Sequence, residues 1–333
     1  MIKMKKIVFV LLAISWVTLS LSQRVKSPPA MPKAIERPSP SKSDLRKLKL
    51  LEDTLHQLSN SMTYDTLLSV RKTSCYAFIP KLVTALRINN SFYYRFDSLE
   101  TVSIIYPDDS TFRILTWQLV FPGGNFRYYG VIQMRSAKMK IFPLFDMRDT
   151  LGYQSQLITT KDNWYGCLYY NVIEKQAGNK AIYTLFGFEA ADILTRRKVV
   201  DVLTFNNQGE PRFGDPIFCF KYNDSTRVKL LDTLTRFFIE YKSSAPTVLN
   251  YDRDMEMIVF DHVAPPDEKA KGATFSYVPD GTYEGFVWLN DHWNWVEKVF
   301  TFAINENDNP PIPVPKFGEP KRQPQLPKDG DPR

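Results

Sequence analysis

Ligating and nucleophilic side chains are scarce in this sequence. Its 333 residues hold three histidines, His56, His262 and His292, and three cysteines, Cys75, Cys167 and Cys219. None falls into an H-x-x-x-H, H-E-x-x-H or C-x-x-C spacing, so no zinc site is legible and no metal is expected. The G-x-S-x-G elbow of serine hydrolases is absent. So are G-x-G-x-x-G and the Walker loop, which removes the common nucleotide-binding motifs, and no cofactor is expected. Gly123-Gly124 reads as a hairpin turn. The short acidic turns Asp108-Asp109 and Asp252-x-Asp254 lack the glycine and distal glutamate of a calcium loop.

A dominant charge is also missing once the charges are located. The net charge of +7 suggests a basic protein. Residues 1–22 carry three lysines and no acid, and both proline-rich ends are basic, with five cationic side chains each. The stretch 44–309 has 30 basic against 32 acidic residues. That body offers no electrostatic footprint for nucleic acid.

A long apolar run is lacking too. The longest, 7–17, covers eleven residues, where a membrane-spanning helix needs ~20. It follows Lys3, Lys5 and Lys6 and precedes the small residues Ser20 and Ser22. That order is the pattern of an export signal, and cleavage is expected before Gln23. No cysteine lies directly after the cleavage point, so no acyl anchor is expected. The expected address is the periplasm or the exterior of the cell, with no transmembrane span after signal removal. In such a compartment cysteines can pair. Two alternatives stay open: three buried thiols, or a Cys167–Cys219 bridge.

What is present is aromatic and strand-forming. Aromatic residues make up 14% of the chain, led by 23 Phe and 17 Tyr. Proline marks the ends, with five of the 23 in residues 23–43 and eight in 310–333. The first segment is expected to be a linker, and 306–333 a disordered tail. Ser41 with Asp44 approximates a capping box, and Leu48, Leu51, Leu55, Leu58 and Met62 then form one helical stripe over about 44–60. A second helical stretch covers about 64–88, with Pro80 as a break or kink. From Ser91 the period becomes two. Strands are expected at 92–96, 101–106, 111–120, 127–134, 164–173, 181–188, 197–205, 217–222, 236–242, 247–251, 257–261, 273–278, 283–289 and 293–300. Turn residues lie between many of them, including Gly123-Gly124-Asn125 and Asn290-Asp291. Short connections predict antiparallel pairing. The expected fold is mostly β, an antiparallel meander closing into a sandwich or a barrel-like body over 91–305. A helical pair at 44–90 docks on it.

The segments FRILTWQ (112–118), FRYYGVIQM (126–134), WYGCLYYNVI (164–173) and YTLFGF (183–188) occur in this order. RKVVDVLTF (197–205), GEPRFGDPIF (209–218), MIVFDH (257–262) and YVPDGTYEGF (277–286) follow. Together they resemble an uncharacterised family of exported proteins from Bacteroidota, over roughly residues 64–300. The resemblance implies a Gram-negative periplasm or cell exterior and brings no activity and no site residue.

Two sets of residues are candidates for function. Asp261-His262 ends a strand and offers an acid beside a base. Tyr128, Tyr129, Trp164 and Tyr165 put aromatics on both faces of their strands. If one face is exposed, it suits a protein strand or a glycan. If both are covered, these residues are core. The expected function is therefore an exported, non-enzymatic β-rich module that binds an envelope protein or a glycan. The alternative is a secreted carbohydrate-active hydrolase with a β-sandwich fold, whose paired carboxylates one sequence does not reveal.

Overall fold

The computed structural model describes residues 38–300, apart from 153, 225–226 and 231–232. The expected leader, most of the linker 23–43 and the tail 306–333 lie outside the described residues.

Ser41 starts the first helix, α1 (Lys42–Tyr64). Its hydroxyl accepts the Asp44 N–H at 3.1 Å and donates to the Asp44 carboxylate at 2.8 Å. This cap places the helix start inside the expected linker. Leu48, Leu55 and Met62 are fully buried along one side. The second helix, α2 (Leu68–Leu86), runs through Pro80 without ending. Pro80 is exposed and has no N–H for the Tyr76 carbonyl four residues earlier. Packing of Phe78, Leu82, Ala85 and Leu86 holds the helix across that gap.

The first sheet contains β1 (Ser103–Ile105), β2 (Phe112–Val120), β3 (Phe126–Met134) and β4 (Ile141–Phe145), in that spatial order and all antiparallel. Gly123 and Gly124 turn β2 into β3 with φ of 75° and 74°. A Cβ on Gly124 would lie 2.5 Å from Ile193, so this turn requires glycine for space as well as for backbone conformation.

A short helix, α3 (Arg148–Leu151), leads to β5 (Thr159–Thr160), β6 (Leu168–Ala177), β7 (Lys180–Glu189), β8 (Thr195–Phe205) and β9 (Pro211–Phe213). Then follow β10 (Phe218–Cys219), β11 (Lys221–Asp224), β12 (Arg227–Leu230) and β13 (Phe237–Lys242). The last strands are β14 (Leu249–Asp252), β15 (Met257–Ala264), β16 (Val278–Leu289) and β17 (His292–Val296). The second sheet runs β5-β9-β8-β7-β6. One edge of the long β8 is shared: β13 pairs with residues 195–200 and β9 with 203–205. The third sheet runs β10-β17-β16-β15-β14, with only β10 and β17 parallel. β11 and β12 form a separate hairpin.

Alternation along the strands stacks these parts into four layers. Leu115, Trp117, Leu119 and Val131 of the first sheet pack on the helices. Phe112, Ile114, Tyr128 and Ile132, on its other face, meet Tyr169, Leu185 and Leu203 of the second sheet. The opposite face of the second sheet presents Ile182, Phe186, Val200 and Val202 to Ile258, Phe260, Phe286 and Trp293 of the third. The body is thus mostly antiparallel β with an N-terminal helix pair, and the sheets do not close into a barrel.

Several expected strands differ. Residues 92–96 hold a 3-10 turn, Ser91–Tyr93, because Asn90 sits at φ 59° and the Ser91 hydroxyl donates to the Leu86 carbonyl at 2.7 Å. Phe92 and Phe96 flank the guanidinium of Arg113 at 5.7 and 5.1 Å. Stretch 273–278 contains another 3-10 turn, Thr274–Ser276. Stretch 217–222 divides into β10 and β11. The final strand stops at Val296. The short strands β4, β5, β9 and β12 escape an alternation test, and β4 contains Pro143, which argues against a strand in a sequence reading. Cys167 is a fully buried free thiol, so the Cys167–Cys219 bridge is not formed.

Candidate functional site

Of the four aromatic candidates, three are core. Tyr128 and Tyr165 are 1% exposed and Trp164 is 0% exposed. Of the two alternatives left open for these three positions, the covered one holds, and they offer no exposed binding face. The second sheet is covered on both sides, and Tyr128 lies on the face of β3 that meets it. Each buried polar tip is paired, as burial demands. The Ala190 N–H donates to the Tyr128 hydroxyl at 2.8 Å, Trp164 Nε1 donates to Tyr169 at 3.0 Å, and Tyr165 donates to Glu189 at 2.5 Å. Burial pushes the Tyr128 and Tyr165 pKa values far up, with the Glu189 charge adding to the effect at Tyr165. Only Tyr129, half-buried, keeps an open side.

The pair Asp261-His262 also separates. Neighbouring positions on a strand point to opposite faces. Asp261 is buried and accepts the Val248 N–H at 2.7 Å. His262 instead meets Asp280 Oδ2 at 2.7 Å through Nδ1 and Glu284 Oε1 at 3.7 Å through Nε2. Burial raises Asp280, but hydrogen bonds from Thr282 and His262 outweigh it, so its pKa lies below the ordinary value. Glu284 moves the other way: burial raises it, and the Trp295 N–H and His262 offset only part of this. No group of three or more His, Cys, Asp and Glu side chains able to hold a metal occurs among the described residues.

Open space lies elsewhere. Both helices pack against β2, and β4 is the edge strand of the first sheet. Beside α2 the surface of β3 and β4 is left with a cleft of about 420 Å³. Its walls are Tyr76, Ile79 and Val83 of α2, Trp117 and Tyr129 on the sheet, and Phe145 of β4. Tyr76 is 58% and Phe145 55% exposed, so the rim of this apolar wall stays in contact with water.

A second pocket, of about 450 Å³, shares Arg127 and Asp146 with the first. Its wall is polar. Glu189, 1% exposed, accepts from Tyr165 and from Arg197 Nη1 at 3.1 Å, and lies 3.4 Å from Arg148 Nε. Arg197 also donates to Glu240 at 2.6 Å. Burial works against the charges of Arg148 and Arg197, and Glu189 with the neighbouring acids more than offsets it, so both guanidinium pKa values lie above the ordinary one. Asp146 accepts the N–H groups of Tyr128 at 2.9 Å and Arg148 at 3.1 Å. It sits where a Cβ on residue 166 would come within 2.4 Å, so Gly166 is what lets the carboxylate lie there. Glycine and an aspartate separated by twenty residues give no readable motif, and the sequence analysis missed Arg127, Asp146, Arg148, Glu189 and Arg197.

The cleft is thus mostly apolar and shares Arg127 and Asp146 with a charged pocket. Ligand sites in proteins have this make-up, mostly apolar with a few placed polar groups. No family model, curated protein or solved structure matches the chain.

Proposed function

We propose that this chain is an exported, non-enzymatic binding module and that it binds in the cleft between α2 and the β3–β4 edge. The carrying observation is the cleft itself, about 420 Å³ lined by Tyr76, Ile79, Val83, Trp117, Tyr129 and Phe145. Apolar side chains left in contact with water on a rigid wall favour an apolar guest, at ~25 cal/mol per Å² of surface removed from water. The polar Arg–Glu cluster beside the cleft, with the Tyr165 hydroxyl donating to Glu189, supplies charged groups suited to recognition. The export pattern of residues 1–22 and the resemblance to exported proteins support an envelope or extracellular setting.

A neutral naphthylamine probe tests the reading. Its fluorescence should rise on mixing with the protein, and Val83→Trp, which fills the cleft from the half-buried side of α2, should abolish the rise at an unchanged melting temperature. An equal rise with both proteins, or none with either, refutes cleft binding.

One observation favours a second reading, a carbohydrate hydrolase. Asp280 and Glu284 flank His262 with pKa values displaced in opposite directions, the pattern of a base and an acid. Glycan hydrolysis by the purified protein that Glu284→Gln stops would establish this reading and displace the first.

A further inference from the structure

We propose that the guest is a long-chain amphiphile with one anionic head, of the fatty-acid type: its chain lies in the apolar cleft and its carboxylate at the charged pocket. This rests on the cleft-binding reading above and adds the chemistry of the head.

Unused hydrogen-bonding capacity lies where the two pockets share lining residues. The acids there are engaged. Glu189 receives Tyr165 and Arg197 and pairs with Arg148, and Asp146 receives two backbone N–H groups. Asp149, whose side chain is 94% exposed, meets Arg148 at 3.5 Å. Among the cations, Arg197 is engaged by Glu189 and Glu240, and Arg127 and Arg148 are less so. Arg127 is exposed, lines both pockets, and makes no hydrogen bond or ion pair among the described residues. Arg148 donates through Nη2 to the Phe126 carbonyl at 2.7 Å and packs on the Tyr128 ring at 4.9 Å, yet its Nη1 has no hydrogen-bond partner. Arg148 Nη1 is itself enclosed, so the donor open to a guest is the exposed guanidinium of Arg127. A guanidinium fork matches a carboxylate in shape and charge. The same Arg127 also lines the apolar cleft, so one molecule that meets both demands has an apolar body joined to an anionic end.

Calorimetric titration of the full chain at neutral pH with hexadecanoic acid and with hexadecan-1-ol, both below their aggregation limits, separates the two layers of the proposal. The acid should bind at least tenfold tighter than the alcohol. Arg127→Gln should bring the acid down to the affinity of the alcohol and leave the alcohol unchanged. Because Arg127 is exposed and unpaired, this variant should fold as the parent does, checked by its melting curve. Val83→Trp should abolish both. If acid and alcohol bind alike and Arg127→Gln changes neither, the anionic-head inference falls while cleft binding stands. If neither binds, both fall.

Discussion

Replacing Glu189 by glutamine should destabilise the protein by about 3 kcal/mol, near the lower end of the ~3–5 kcal/mol for removing one member of a buried charge cluster. The structure sets that position in the range. Glu189 is 1% exposed and holds Tyr165, Arg197 and Arg148 at 2.5, 3.1 and 3.4 Å. Glutamine preserves the volume and removes the charge. Arg197 keeps Glu240 at 2.6 Å, so its charge stays compensated. Arg148, whose side chain is only 9% exposed, keeps Asp149 at 3.5 Å and loses its main partner. Most of the cost therefore sits on Arg148. Tyr165→Phe, which deletes one hydrogen bond to a charged acceptor, should cost less, about 1.5–3 kcal/mol. Glu189→Leu combined with Arg148→Met should recover much of the loss, because no charge is then left buried alone. Urea unfolding followed by far-UV circular dichroism at neutral pH measures all three. In a body of this size, 3 kcal/mol corresponds to a fall of about 5–6 °C in the melting temperature. A Glu189→Gln protein within about 1 kcal/mol of the parent, or a double variant no better than the single, would refute the cluster as described.

Two further outcomes follow from buried groups outside the clefts. Glu52, 3% exposed, accepts from Tyr94 and from the Ser98 N–H at 2.8 Å, with Lys49 3.6 Å away. Burial raises its pKa, and these partners outweigh burial, leaving it below the ordinary 4.5. A depressed acid stabilises the fold above its unfolded pKa and loses that effect as pH falls through the folded value. Glu52→Gln should then cost about 1.5–3 kcal/mol at pH 7, and the gap should close on acidification, as melts at pH 7 and pH 3 will report; a gap that widens in acid contradicts the assignment. Gly187→Ala would place a Cβ 2.7 Å from Cys167 Sγ and should cost about 1–3 kcal/mol by overpacking. Adding Cys167→Ala should relieve part of that cost, and strictly additive losses in the two-variant cycle would show that the contact is not what matters.

Periodicity made the local order of this chain legible. Leucines at helical spacing from Leu48 to Met62 and the Ser41 cap define α1, and the alternating stretches 112–118, 126–134 and 197–205 define the long strands β2, β3 and β8. These are local consequences of backbone geometry, where one face of an element is apolar because it is covered. The same geometry left a trace of the buried charges. Arg113 stands inside FRILTWQ and Asp201 inside VVDVLTF, and both are fully buried and paired. A charge within an apolar strand marks a position whose partner must come from another element, and the strand does not say which.

Tertiary structure alone decided which faces are covered. Aromatics on both sides of 164–173 fit either an exposed binding surface or a sheet buried twice, because both require the same residues. The first sheet, packed on one side, covers Trp164 and Tyr169, and the third, packed on the other, covers Tyr170. Position likewise created the site. The cleft exists because two helices settle over β2 and leave the β3–β4 edge partly open, and the charged pocket gathers Arg127, Asp146, Arg148, Glu189 and Arg197 from four separate stretches of chain. Residue type and spacing report what a side chain's own helix or strand does with it. A site assembled across elements depends on long-range contacts, which sequence periodicity does not encode.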